Sequence, residues 1–211
     1  MNNDVYKRQI APGETIVRKK PPQVPDDKKN KMELFDWLQC IVFAIIIVIF
    51  CFIFIGRTIG VDGFSMYGTL HDRDRVVTSN LFYTPSNNDV IIFRSSSPRY
   101  EEPLVKRVIA VAGQTIDIDF ETGDVFLDGV LLYEPFVHSL TLRRDDFVGP
   151  MIVPEGYVFV LGDNRNNSVD SRCGNIGLVD TRYILGRVLF LLIPGNDLNG
   201  HRDWSRFGAI A

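Results

Sequence analysis

The chain has 211 residues, of which 45% are hydrophobic and 23% charged, the balance of a folding chain rather than a disordered, collagen-like or low-complexity one. That length fits one globular domain with an additional segment and leaves no room for two fused enzymes. A formal net charge of −3 and a sequence pI near 5.6 argue against a nucleic-acid partner, which would ask for a basic face or a domain pI above about 9.

Residues 1–36 are polar, with prolines at 12, 21, 22 and 25 and basic clusters at 18–20 and 28–31. This stretch reads as a solvated tail without fixed structure. From Trp37 to Ile55 the only strongly polar residue is Gln39, and at about 1.5 Å per residue the run reaches about 28 Å as a helix, the depth of a bilayer core. The run is longer than a signal-peptide apolar region and has no small-residue cleavage site after it, so residues 37–55 are expected to stay as a transmembrane helix. Arg18, Lys19, Lys20, Lys28, Lys29 and Lys31 precede it, whereas only Arg57, Arg73 and Arg75 follow closely. The positive-inside rule then places the N-terminus in the cytoplasm and residues 56–211 outside a cell membrane crossed once.

Beyond Arg57 the punctuation is that of β-structure. Residues 75–78, 89–93, 104–111 and 157–161 are short, rich in β-branched and aromatic residues, and bounded by Gly, Pro, Asn and Asp. Residues 124–132 place Asp128-Gly129 between two apolar runs, the signature of a type I′ hairpin. Ile184 to Ile193 reads as a last strand or a surface touching lipid, too short to cross a bilayer. The fold class expected is mainly β, with antiparallel sheets forming a partly barrel-like catalytic domain behind one transmembrane helix.

Cys40, Cys51 and Cys173 have neither disulfide-framework nor metal spacing, and His71, His138 and His201 stand singly. No metal and no cofactor is expected. The acidic pairs Asp72/Asp74, Asp117/Asp119 and Asp145/Asp146 lack a ligand pattern and read as solvated turns. Ser65 begins close beyond the membrane segment, but a serine needs a base, and no histidine is nominated. Lys106 is the alternative. Alternation along 104–109 puts Leu104, Lys106 and Val108 on one face and Val105, Arg107 and Ile109 on the other, so one of two adjacent basic residues shares a face with apolar side chains. A snorkelling lysine is the plain reading. A desolvated lysine beside a serine is the functional one, because burial lowers its pKa and lets the neutral amine take a hydroxyl proton. Gly162 to Arg172 follows the strand at 157–161 as a loop of turn residues, in which Asp163, Arg165, Asp170 and Arg172 are able to pair and brace it.

The segments GFSMYGTL (63–70), DVIIF (89–93), VKRVIAVAG (105–113) and GDNRNNSVDSR (162–172) follow one another behind the apolar run. In that order they resemble bacterial type I signal peptidases, from about residue 36 to about residue 194. The resemblance implies Ser65 as nucleophile and Lys106 as general base of a Ser-Lys dyad. It implies Ser168 as the hydroxyl orienting the lysine amine and Asp170 with Arg172 as the charged pair holding the loop, with Asp163, Asn164 and Arg165 on the same segment. One oxyanion donor would be the backbone N–H of Ser65; in some members a serine two positions earlier supplies the second, where this chain has Gly63. Gly68 stands where the family usually has proline, and Cys173 has no assigned role. The resemblance further implies an extended substrate lying between the Asp62, Phe64 and Met66 segment and the strand leading to Lys106, with shallow pockets suited to alanine. The partners so implied are preprotein signal peptides and the lipid bilayer, with no nucleic acid.

Three alternatives stay open on the sequence alone. A self-cleaving repressor-type Ser-Lys protease shares the dyad, but the transmembrane run and the lack of a preceding DNA-binding helix pair count against it. A membrane-anchored peptide-binding scaffold would leave Ser65 and Lys106 inert. A peptidase dedicated to one substrate has no sequence feature that separates it from a general one.

Overall fold

The structure is a computed structural model, describing residues 5–11, 14–19, 26–54, 57–137, 139–197 and 200–210, with the side chains of 33–49 and of those from 57 onward. The chain divides into two compact units, Met1–Ile49 and Phe50–Ala211. In the first, β1 (Val5–Ala11) and β2 (Glu14–Lys19) pair antiparallel, within the stretch whose composition suggested an unstructured tail. The helix α1 (Asp26–Phe54) begins well before residue 37. Among its described side chains, 33–49, the apolar ones are exposed all round, including Ile41, Phe43, Ile46 and Val48. Among the described residues no helix is long and apolar enough to cross a membrane. The spanning segment expected over 37–55 runs past residue 49, into side chains outside the described ones.

The second unit is mainly β and antiparallel. Its strands are β3 (Arg57–Gly60), β4 (Arg75–Ser79), β5 (Val90–Phe93), β6 (Leu104–Val111), β7 (Thr115–Asp119), β8 (Asp124–Leu127), β9 (Val130–Leu131), β10 (Met151–Ile152), β11 (Tyr157–Leu161), β12 (Val179–Asp180), β13 (Ile184–Ile193) and β14 (Gly208–Ala209). One sheet has the order β12-β11-β6-β5-β13-β4-β3, with β14 added on β13, and the other β10-β7-β8-β9. The β8–β9 turn has Asp128 at φ 52 and Gly129 at φ 78, the two left-handed residues that a type I′ turn requires.

β6 is central. It pairs with β5 on one side and β11 on the other, and apolar clusters cover both its faces. Ile109 joins Ile116, Ile118, Phe147 and Phe159, whereas Val108 packs with Ile91, Phe93, Val160 and Ile184. Lys106 and Arg107, which alternation sets on opposite faces, are both buried, at 2% and 1% exposure, so the lysine does not snorkel to water. A third cluster, with Met66, Leu70, Val76, Ile92 and Leu191, anchors the loop after β3. Asp74, read as part of a solvated turn, is also corrected. It is wholly buried, accepts from the N–H groups of His71 and Gly195, and pairs with Arg206 at 2.7 Å, since a buried carboxylate persists only where donors surround it.

Candidate active site

Ser65 sits in a tight turn after β3. Tyr67 N–H donates to Phe64 O at 3.1 Å and Leu70 N–H to Met66 O at 2.8 Å, while buried Met66 and Leu70 fasten the turn to the core. Ser65 itself is half-buried. Gly63 adopts φ 91 and donates its N–H to Asp72 Oδ1 at 2.8 Å. Gly68 adopts φ 108, a backbone that proline, fixed near −65°, does not reach.

Lys106 enters from β6. Its Nζ lies 2.8 Å from Ser65 Oγ and donates to Val105 O at 2.8 Å. Burial pulls its pKa down from the ordinary 10.5 to about 8, against the opposing pull of the Asp170 and Asp163 carboxylates. An amine so placed is neutral often enough near neutral pH to accept a hydroxyl proton. A groove of about 410 Å³ opens over the pair, lined among others by Ile59, Asp62, Ile92, Leu104 and Val105. Asp62 and Phe64 are exposed there or beside it. Met66, expected beside the substrate, is 1% exposed and belongs to the core instead, because its side chain is what pins the turn.

The loop after β11 packs behind the pair. A Cβ at Gly162 would overlap Ser168 Oγ and lie 2.5 Å from Ser65 O, so only glycine lets the two loops approach. The Asp170–Arg172 pair forms as expected, at 2.8 Å and fully buried, with Asp170 Oδ2 also accepting from Gly162 N–H. The other two charges pair differently from the expectation of a self-braced loop. Asp163 takes Nε and Nη2 of Arg107 at 2.9 and 2.8 Å, and Thr69 Oγ1 donates to it at 2.5 Å. Arg165 holds Glu134 and Thr141. The loop is thus tied outward, to β6, to the turn carrying Ser65 and to the segment after β9, and the guanidinium of Arg107 also stacks 3.9 Å from the Phe136 ring centre. Arg107, Thr69, Glu134 and Thr141 were not singled out from sequence; only the adjacency of Arg107 to Lys106 on a buried strand hints at one of them.

Ser168 departs from expectation. Its Oγ is buried and has no hydrogen-bond partner among the described residues; the lysine amine donates to Ser65 Oγ and Val105 O instead. Asn164 is drawn into the turn, its N–H donating to Ser65 O at 3.0 Å and its Nδ2 to Phe64 O at 3.1 Å. Cys40 and Cys173 are free thiols. Among the described residues no group of three or more His, Cys, Asp or Glu could hold a metal ion; His138 lies outside them.

Residues 34–193 match the family described as signal peptidase, peptidase S26. Signal peptidase I S of Bacillus subtilis (strain 168) is 31% identical over 185 residues, covering 82% of this chain and 96% of that protein. The probable signal peptidase I-1 of Synechocystis is 31% identical over 183 residues, covering 82% and 86%. A crystal structure of a signal peptidase I from Enterococcus faecalis V583 is similar at 31% identity with a TM-score of 0.40, covering 50% of this chain and 97% of that one.

Proposed function

The chain belongs to the signal peptidase, peptidase S26 family, and from that premise we propose that it is a serine endopeptidase that removes signal peptides from preproteins, with Ser65 as nucleophile and Lys106 as general base. The observation carrying the roles is the 2.8 Å approach of Lys106 Nζ to Ser65 Oγ on a lysine whose pKa burial has lowered to about 8.

The steps follow acyl-transfer chemistry. Ser65 Oγ bonds to the scissile carbonyl carbon as its proton passes to Lys106 Nζ, and the carbonyl oxygen takes the negative charge. The tetrahedral centre collapses, the C–N bond breaks, and the ammonium returns the proton to the departing amine. Water then adds to the acyl carbon as its proton passes to Lys106 Nζ, and as the Ser65 ester bond breaks the ammonium returns that proton to Ser65 Oγ, freeing the acid product. In this reading Ser65 N–H serves as a backbone donor to the oxyanion. Asp163, Arg165, Asp170 and Arg172 act at a distance from the chemistry, holding the loop on which Gly162 and Ser168 back the nucleophile. The substrate enters the groove as an extended segment beside Asp62 and Phe64, and the outer edge of β3, which has no strand paired to it among the described residues, favours strand addition.

The same proposal places the apolar helix across a cell membrane, N-terminus cytoplasmic, with a partly barrel-like catalytic unit outside. The exposed Ile, Val and Phe side chains of α1 support it. Anchoring beside membrane-borne signal segments raises the effective concentration of enzyme for them.

The test is cleavage of a preprotein carrying an Ala-x-Ala site, in detergent or lipid, by the full chain and by Ser65→Ala and Lys106→Ala, with the new N-terminus sequenced. Cutting after the final Ala by the parent alone is expected. A Ser65→Ala variant that cuts at the parent's rate would remove the proposed nucleophile.

A further inference from the structure

The peptide unit joining Phe64 to Ser65 has its carbonyl held from two sides. Tyr67 N–H donates to Phe64 O at 3.1 Å, and Asn164 Nδ2 donates to the same oxygen at 3.1 Å. The backbone N–H of Asn164 meanwhile donates to the next carbonyl, Ser65 O, at 3.0 Å. One asparagine therefore grips both carbonyls of the nucleophile's peptide planes, from a loop distant in sequence. That loop is rigid at this point, because the next side chain, Arg165, is fully buried and bound to Glu134, Thr141 and Gly162 O.

A planar trans peptide points its N–H opposite its C=O. Fixing Phe64 O therefore fixes the direction of Ser65 N–H. Donation to a carbonyl also strengthens the N–H of the same amide as a donor, the cooperative effect seen along hydrogen-bond chains. Gly63 N–H is given to Asp72, and residue 63 has no side chain. A preset backbone N–H then matters more here than in a site with a hydroxyl beside it.

We propose that Asn164 is a positioning residue for acyl transfer, whose side-chain amide holds and polarises the Phe64–Ser65 peptide so that Ser65 N–H is preset as the oxyanion donor. The inference rests on the reading of Ser65 as nucleophile. Asn164 touches neither the substrate nor Lys106; it acts through the peptide group that does the stabilising. Its effect is therefore greatest where negative charge develops on the substrate oxygen and small where substrate is merely bound.

The experiment compares the full chain with Asn164→Ala, which keeps the backbone bond to Ser65 O, and with the isosteric Asn164→Asp, which presents a carboxylate unable to donate to Phe64 O. Each is measured for kcat and KM on a preprotein, for its unfolding midpoint, and for affinity toward two peptides of one sequence. One peptide ends in an aldehyde: Ser65 Oγ bonds to the aldehyde carbon, its proton passes to Lys106, and the former carbonyl oxygen takes the charge. The other ends in the corresponding alcohol and forms no oxyanion. For both variants kcat and aldehyde affinity are expected to fall together, by roughly 10- to 100-fold, while KM and alcohol affinity stay within about twofold and the midpoint holds. An unchanged kcat overturns the inference, and so does an equal loss of both peptides with a lowered midpoint, the mark of a merely structural residue. Ser65→Ala measured in parallel separates the two levels. If it still cuts, the nucleophile reading fails; if it is silent while Asn164→Ala is fully active, only the role of Asn164 fails.

Discussion

Lys106 and Arg107 are consecutive on β6 and equally buried, yet among the described residues only Arg107 has a carboxylate paired with it. Asp163 binds Arg107 through both oxygens, whereas Lys106 meets Ser65 Oγ and Val105 O. A buried cation without a counter-ion sheds its proton more readily than one with a partner. The contrast turns one of two neighbouring basic residues into a structural tie and leaves the other able to act as a base.

The first consequence is a pH profile. In the proposed mechanism Lys106 must be neutral to take the Ser65 proton, and burial lowers its pKa to about 8. Activity is therefore expected to rise with pH through a limb near 8, falling about tenfold for each unit below it. The measurement is kcat/KM for a preprotein between pH 6 and pH 10. A limb near the ordinary lysine value would mean that the amine is solvated in the working enzyme.

The same lowered pKa bears on stability. Below about pH 8 the folded protein carries a buried ammonium, and the resulting penalty is full; it disappears as pH rises to 10.5, where the unfolded lysine also loses its proton. Lys106→Met, similar in length and uncharged, is expected to be inactive but more stable than the parent by up to about 3 kcal/mol at pH 7. The gain should shrink toward zero above pH 10. Denaturant unfolding of the two proteins at pH 7 and pH 10 checks both magnitude and sign.

Asp163 and Asp170 raise the Lys106 pKa against the effect of burial. Replacing Asp163 by Asn removes a negative charge and leaves Arg107 buried without its carboxylate, and both changes disfavour the ammonium. The activity limb is expected to move below pH 8. Breaking a buried ion pair from one side destabilises by about 3–5 kcal/mol, so the unfolding midpoint should fall in the same variant. A limb that moves to higher pH would show that Asp163 acts on Lys106 in some way other than through its charge.

Much of this arrangement was legible in the sequence, and the unread parts share a cause. The strands at 104–111 and 157–161 were visible because β-branched runs bounded by turn residues need no partner to be seen, and Asp128-Gly129 named its own turn. β7 was equally readable, since Thr115 to Asp119 alternates buried isoleucines with polar residues, but three strands of two residues each carry too little pattern. Ser65 and Lys106 were reached through the order of segments in a family, and their approach closes 41 residues of separation that no local pattern encodes. The long-range ties Arg107–Asp163, Arg165–Glu134 and Arg206–Asp74 were missed for that reason. Asp74 looked like a turn acid because its partner lies 132 residues away.

Gly162 offers a steric test of how closely the two loops must meet. Its backbone lies outside the left-handed region, so the constraint is space alone: an added methyl would overlap Ser168 Oγ and press on Ser65 O. Gly162→Ala is expected to push the nucleophile turn away from β11, lowering kcat by about 100-fold or more, since roughly 1 Å of misplacement carries that effect. Activity within twofold of the parent would mean that the loops separate without disturbing Ser65.

Gly68 gives the opposite kind of test, one of backbone shape rather than room. The family pattern has proline at this position, yet this chain holds φ at 108 there, and proline's ring fixes φ near −65°. Gly68→Pro, although it restores the family residue, is therefore expected to destabilise the protein by more than about 1 kcal/mol and to lower activity, since the turn carrying Ser65 must rebuild. Gly68→Ala, which reaches left-handed φ at a smaller penalty, should fall between the two. Unfolding midpoints and kcat for the three proteins decide the matter: a proline variant as stable and active as the parent would mean that the turn settles equally well with φ negative, and that glycine at this position has no conformational role.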